Sequence, residues 1–153
     1  MFYTVRFAHL KVKPNYKIGD KIKTGDFIGF MGNTGKSSGD HLHLDCVEGI
    51  QSSRYTQSQI EEGLYKPSPR QLNYFIDEDL FKIKPFITSY YADPEYQMVY
   101  RKVHFGYDVV PINRHSTTAN YTIYWNRSMN GTVVKVLDSD PGYGNCIYIC
   151  FEA

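Results

Sequence analysis

The stretch Gly39-Asp40-His41-Leu42-His43-Leu44 alternates polar and apolar residues with a period of two. In an extended strand, residues two apart point to the same face. His41 and His43 therefore share one side, and Leu42 and Leu44 share the other. A chain containing this stretch has to build a sheet with one packed side and one side carrying two imidazoles. Such a pair can bind a metal jointly, or can divide the work between ligand and proton carrier. Taken alone, it better suits the wet face of an ordinary strand.

The rest of the chain is also written for strands. Its 153 residues include 14 Tyr and 9 Phe, with 12 Gly and 7 Pro as punctuation, a balance that favours a single, mostly β domain. The 17 basic and 16 acidic residues leave a formal charge of +1 with no basic block, so a nucleic-acid partner is not indicated. No apolar run reaches the roughly 18 residues of a membrane span. The opening Met1-Phe2-Tyr3-Thr4-Val5-Arg6 lacks the parts of a signal peptide. Cys46, Cys146 and Cys150 match no zinc-knuckle or disulfide spacing. On one strand Cys146 and Cys150 would lie about 13 Å apart, too far for a bridge, so all three read as free thiols.

In chain order, residues 2–10 read as a strand with His9 near its end. Two near-repeats, Tyr16 to Asp20 and Ile22 to Asp26, each close on a Gly-Asp turn signal. Residues 27–32 form a short apolar strand, and the loop 33–39 leads into the His41–His43 strand. That loop lacks the glycine spacing of a phosphate loop. Residues 48–85 are less regular. They hold one or two short helices, one at 58–63 and one at 69–76 with Ser68 as cap and Pro69 in first position. This segment reads as a connector laid over a β core and not as part of a site. Strands follow at 86–91, ended by Asp93-Pro94, then at 121–125, 131–137 and 146–151, with a turn cluster at 138–145. His104 and Asp108 are four apart, and on a strand they would share a face with Gly106. Asp and His are both competent metal ligands. His115 stands in a polar loop and is left outside the site. Tyr90, Tyr91, Tyr96 and Tyr100 precede His104 and read first as core and surface tyrosines.

Taken together, these phrases resemble the lysostaphin/LytM-type zinc endopeptidases. His104-Phe105-Gly106-Tyr107-Asp108 is similar to their His-x3-Asp motif, Ala8-His9-Leu10 to their Tyr-x-His-Leu strand end, and His41-Leu42-His43 to their His-x-His. Ile18 to Gly29 and Gly32 to Ser37 resemble the connecting text of the family, and Gly131-Thr132-Val133 with Gly142-Tyr143-Gly144-Asn145 resembles its first hairpin. The order differs: the family's C-terminal half stands here at residues 1–47 and its N-terminal half at 86–153. Joining the chain's end to its beginning through a hairpin turn would restore the family order. The expectation is a circularly permuted single domain with residues 48–85 as connector. A chain straddling two tandem copies and a domain swap are the alternatives.

The resemblance implies antiparallel β-sheets of that peptidase fold. It implies Zn2+ held by His104, Asp108 and His43, with His9 and His41 beside the metal as catalytic residues. Three protein ligands leave a fourth position for water, the pattern of a catalytic zinc. It further implies a hydrolase acting on the peptide stems or cross-bridges of bacterial peptidoglycan, from a phage tail or extracellularly, as a monomer, with other phage tail proteins as further partners. A catalytically inactive wall-binding or structural virion domain is the alternative. Cys46, three residues beyond His43, would face away from such a site.

Overall fold

Alternation carries the architecture. In the computed structural model, which describes residues 1–114 and 120–153, the main sheet is antiparallel throughout, and His115 lies outside the described residues. The described elements are β1 (Phe2–Leu10), β2 (Lys21–Ile22), β3 (Phe27–Phe30), β4 (Leu42–Glu48), α1 (Gln57–Glu61), α2 (Pro69–Asn73), β5 (Pro85–Ser89), α3 (Pro94–Tyr100), β6 (Tyr107–Pro111), β7 (Thr122–Tyr124), β8 (Gly131–Asp140) and β9 (Gly144–Glu152). Seven strands pair in the order β2-β8-β9-β1-β4-β6-β5, and β3 pairs with β7 in a separate ribbon. None of the described helices is long and apolar enough to cross a membrane.

The sheet is packed on both faces. Val5 and Phe7 of β1, Leu42, Leu44 and Cys46 of β4, and Ile147, Ile149 and Phe151 of β9 point into one core, which Ile28, Ile123, Trp125 and Leu72 close from the other side. The alternate residues Ala8, Val47, Cys146, Tyr148 and Cys150 point the other way, into a second cluster covered by Tyr55 and Ile60. All three cysteines are buried free thiols, and burial raises the Cys46 and Cys146 thiol pKa values far above the ordinary range. Cys46 sits in the core behind β4, away from His43.

The connector passes from one face to the other. Helix α1 starts at a Thr56 capping box and contributes Ile60 to the second cluster. Lys66 to Ser68 then run along the free edge of β4, where Glu48 N–H donates to Lys66 O at 2.9 Å and Ser68 N–H donates to Cys46 O at 2.8 Å. Helix α2, capped by Ser68 with Pro69 in its first turn, adds Leu72 to the first core. The chain ends meet beside each other: β9 pairs with β1, and Ala153 N–H donates to Met1 O at 2.9 Å.

Three local expectations need correction. The strand expected at 86–91 is β5 and stops at Ser89, whereas Asp93-Pro94 begins α3, because the Asp93 carboxylate accepts Glu95 N–H at 3.0 Å and Pro94 is preset for a first helical position. Residues 138–140 belong to β8, whose register shifts between Leu137 and Asp140, so the turn is shorter than the polar cluster suggests. His104 precedes β6 instead of lying on it.

Candidate active site

Three ligand-capable atoms converge where β4 meets β6. Cross-strand register sets His43 directly opposite Asp108, and His43 Nδ1 lies 3.0 Å from Asp108 Oδ1. His104 arrives from the segment after α3, with Nε2 3.5 Å from the same oxygen. The ligand atoms of His43, His104 and Asp108 all lie within 4.8 Å of one another. Gly106 allows the approach: a Cβ there would run into the Leu44 carbonyl and lie 2.8 Å from His43 Cε1. The glycine therefore leaves room for the β4 backbone and the His43 ring to approach its segment.

Each of these two histidines has its second nitrogen engaged. His104 Nδ1–H donates to Tyr90 O at 3.1 Å, with Ser89 Oγ at 3.2 Å. His43 Nε2–H donates to Asp45 Oδ2 at 2.8 Å. These bonds turn the remaining lone pairs toward the common centre and fix the tautomers, as outer partners do at metal-binding histidines. Asp45 is fully buried and paired in bidentate fashion with fully buried Arg6, at 2.7 and 2.6 Å. Arg6 also donates to Tyr55 O and lies over the Tyr55 and Tyr143 rings, 3.8 and 4.4 Å from their centroids. Burial works against the Asp45 charge, but Arg6 and His43 overcome it and hold the carboxyl well below the usual range. For Asp108, burial is likewise outweighed, by His104 and then His43, and its pKa is lowered.

His9 and His41 stand beside this cluster. A regular β1 would point His9 into the core behind Phe7. Instead a bulge between Phe7 and Leu10 and a left-handed backbone at His9, φ 62°, turn the ring to the site face. The ring centroids of His9 and His41 are 4.9 Å apart. His9 Nδ1–H donates to Thr34 O at 2.6 Å, and His41 Nδ1–H donates to Gly39 O at 2.8 Å. His41 Nε2 is 3.5 Å from Asp108 Oδ1. Burial first, and neighbouring His43 second, push the His9 pKa down to about 4, so its neutral form prevails at neutral pH. The loop 33–39 braces this histidine: Thr34 Oγ donates to Leu10 O at 2.6 Å and accepts Asn145 N–H at 3.0 Å. The contact is close enough that a Cβ on Gly144 would collide with Thr34.

The five residues line a cleft of about 740 Å³ together with Lys36, Tyr96, Lys102 and Tyr143. Tyr96 stacks on His104, with centroids 4.5 Å apart and planes at 22°, so it is a site tyrosine and not merely a surface one. The connector also reaches the cleft, contrary to expectation: Gln57 Nε2–H donates to Asp45 Oδ2 at 3.0 Å. Asp45, Arg6 and Gln57 are the side chains bonded to this cluster that motif reading passes over. The signal for Asp45 was present, since it continues the His41-x-His43 alternation by one step on the same face.

Comparison with known proteins reaches part of this cluster. Residues 2–54 match the model of Peptidase family M23. The matched stretch is about a third of the 153-residue chain. An uncharacterized metalloprotease of Buchnera aphidicola subsp. Baizongia pistaciae (strain Bp) is 54% identical over 43 residues, 28% of this chain and 11% of that protein. Morphogenesis protein 1 of Bacillus phage B103 is 47% identical over 34 residues, 22% and 9% of the two chains. Glycyl-glycine endopeptidase ALE-1 of Staphylococcus capitis is 39% identical over 51 residues, 33% and 14% of the two. The matching segments thus span at most 14% of these relatives' lengths. No solved structure matches the chain.

The M23 family and the metalloprotease name of a relative imply a metal. The donor set here fits one: two imidazole nitrogens and a carboxylate oxygen, with the other ring nitrogen of each imidazole held by a partner. His43 lies inside the matched stretch, whereas His104 and Asp108 lie beyond it.

Proposed function

We propose that this chain is a zinc metalloendopeptidase that hydrolyses peptide bonds in the stems or cross-bridges of bacterial peptidoglycan. The observation that carries the reading is the convergence of His43, His104 and Asp108 within 4.8 Å, with His9 and His41 beside them on one cleft. Kinship with a glycyl-glycine endopeptidase supports the substrate class. Similarity to a phage morphogenesis protein supports a place on a virion, for which we propose the tail.

His43 through Nδ1, His104 through Nε2 and Asp108 through a carboxylate oxygen would hold the zinc. When bound, zinc supplies a Lewis acid that polarises a scissile carbonyl and brings the pKa of a water toward about 7. The protein's own residues do the rest. His9 and His41 each spend Nδ1–H on a backbone carbonyl and so keep Nε2 for the cleft. There they take a proton from the attacking water and return one to the leaving amine. The Asp45 carboxylate keeps His43 from rotating away. Residues 36–38 on one side and 56–58 on the other form cleft walls that hold an extended peptide across the site.

The same reading treats the chain as a circular permutant that completes its site alone. Adjacent termini on paired strands support this, because a short turn would join them without moving either strand. The test is a wall-lysis assay joined to metal analysis and mass in solution. A monomer with about one zinc per chain, and lysis abolished by chelator, restored by zinc and absent in His43→Ala, is the expected result. Lysis that survives chelation rules out the zinc mechanism, and activity confined to a dimer favours a domain swap.

A further inference from the structure

Three hydrogen bonds of Gln57 go to structures that hold the site. Its Nε2–H donates to Asp45 Oδ2 at 3.0 Å, beside the bond that Asp45 accepts from His43. Its Oε1 accepts Phe105 N–H at 2.7 Å, the peptide group immediately after His104. Its own backbone N–H donates to Tyr143 Oη at 3.0 Å, and the Tyr143 ring lies over Arg6 with its centroid 6.5 Å from that of His43. One side-chain amide therefore spans the strand that carries His43 and the segment that carries His104. These two come from residues 61 positions apart in the chain, and no β-ladder bond reaches His104, which precedes β6. An amide suits the place better than a carboxylate or an amine, because the site asks for a donor on one side and an acceptor on the other.

We infer that Gln57 is a positioning residue of the metal centre: it fixes the spacing of the two histidine ligands by bridging the Asp45 carboxylate to the Phe105 amide. The inference rests on the metallopeptidase reading of His43 and His104. It also gives the connector a task beyond joining two halves. Segment 48–85 brings to the site a group that neither half supplies.

The test compares Gln57→Ala with Gln59→Ala by zinc affinity in competition with a chromophoric chelator, alongside the thermal midpoint of the metal-free protein. Gln59 closes the capping box of the same helix, with its Oε1 accepting Thr56 N–H at 2.9 Å, and has no bond to Asp45 or Phe105. Loss of an outer partner of this kind weakens metal binding by about 10-fold. Gln57→Ala is expected to show that loss, and Gln57→Asn, one methylene too short to span both partners, the same. In a cleavage assay with a soluble peptide substrate kcat falls while KM holds. Gln59→Ala lowers the thermal midpoint and leaves zinc affinity within about twofold of the parent. A Gln57→Ala affinity also within that range, or an equal loss in Gln59→Ala, overturns the inference and leaves the peptidase reading standing. A parent protein that binds no zinc overturns both.

Discussion

His43 and His104 face the same carboxylate but are held in different ways. His43 is strand-borne: its position follows from the β4–β6 register, and its outer nitrogen rests on a buried carboxylate that is itself clamped by Arg6. His104 is loop-borne: its outer nitrogen rests on a backbone carbonyl and a serine hydroxyl, and Tyr96 of α3 stacks on its face. The contrast teaches where rigidity comes from in this site. One ligand is fixed by a charge network inside the sheet. The other depends on short local contacts and on the tie through Gln57.

The strongest way to break that contrast is on the buried side. Asp45→Ala leaves the Arg6 guanidinium buried without its partner and is expected to cost about 3–5 kcal/mol of stability, measured by urea denaturation of the metal-free protein. An effect under about 1 kcal/mol would mean that the Arg6–Asp45 pair does not anchor His43. Gly106→Ala strikes the junction of the two ligands. A methyl there meets the Leu44 carbonyl and the His43 ring, so a loss of about 2–3 kcal/mol together with weakened zinc binding is expected, read by denaturation and zinc titration.

The pH dependence of the metal-free protein sharpens the comparison from another side. Burial pulls the His43 pKa down, but hydrogen bonds to Asp108 and then Asp45 outweigh it and bring it up to about 9, while His9 is lowered to about 4. Against the ordinary value of 6.5, the unfolded chain protonates His9 between about pH 6.5 and 4 and the folded chain does not, so stability falls as the pH drops through that window. Between 6.5 and about 9 the folded chain keeps the His43 proton that the unfolded chain has lost, so stability falls as the pH rises. Denaturation curves from pH 4 to 9 should peak near 6.5, with each limb on the order of 2 kcal/mol. Zinc must displace the His43 proton, so saturating zinc should flatten the alkaline limb. A metal-free protein that gains stability steadily up to pH 9 would contradict this. The smallest effect belongs to the loop-borne ligand. Ser89→Ala removes one neutral contact to His104 and should cost no more than about 1 kcal/mol, with zinc affinity nearly unchanged.

Strand-borne features were legible in the sequence because a period of two assigns faces without any knowledge of neighbours. His41, His43, Leu42, Leu44 and Cys46 all lie on the sides that alternation gives them. The Ser68-Pro69 start of α2 was legible because cap chemistry is local. Features that depend on long-range partners were not. The bulge that re-aims His9 is set by pairing with β9 and by a bond from His9 N–H to Tyr143 O at 2.9 Å, and neither shows in the order Phe7-Ala8-His9-Leu10. Arg6 and Asp45 look like surface charges until register places them opposite each other. Helix α3 was hidden because Asp-Pro signals a strand stop as well as a helix start.

The central claim is that one metal is held jointly by residues from both ends of the chain. Diffraction from crystals grown with zinc, recorded at the zinc absorption edge, tests it most directly. The account predicts a single anomalous peak about 2.0–2.2 Å from His43 Nδ1, His104 Nε2 and an Asp108 carboxylate oxygen, with His9 and His41 close by but not bound. No peak there, or a peak on His41 and His43 without His104, would contradict it.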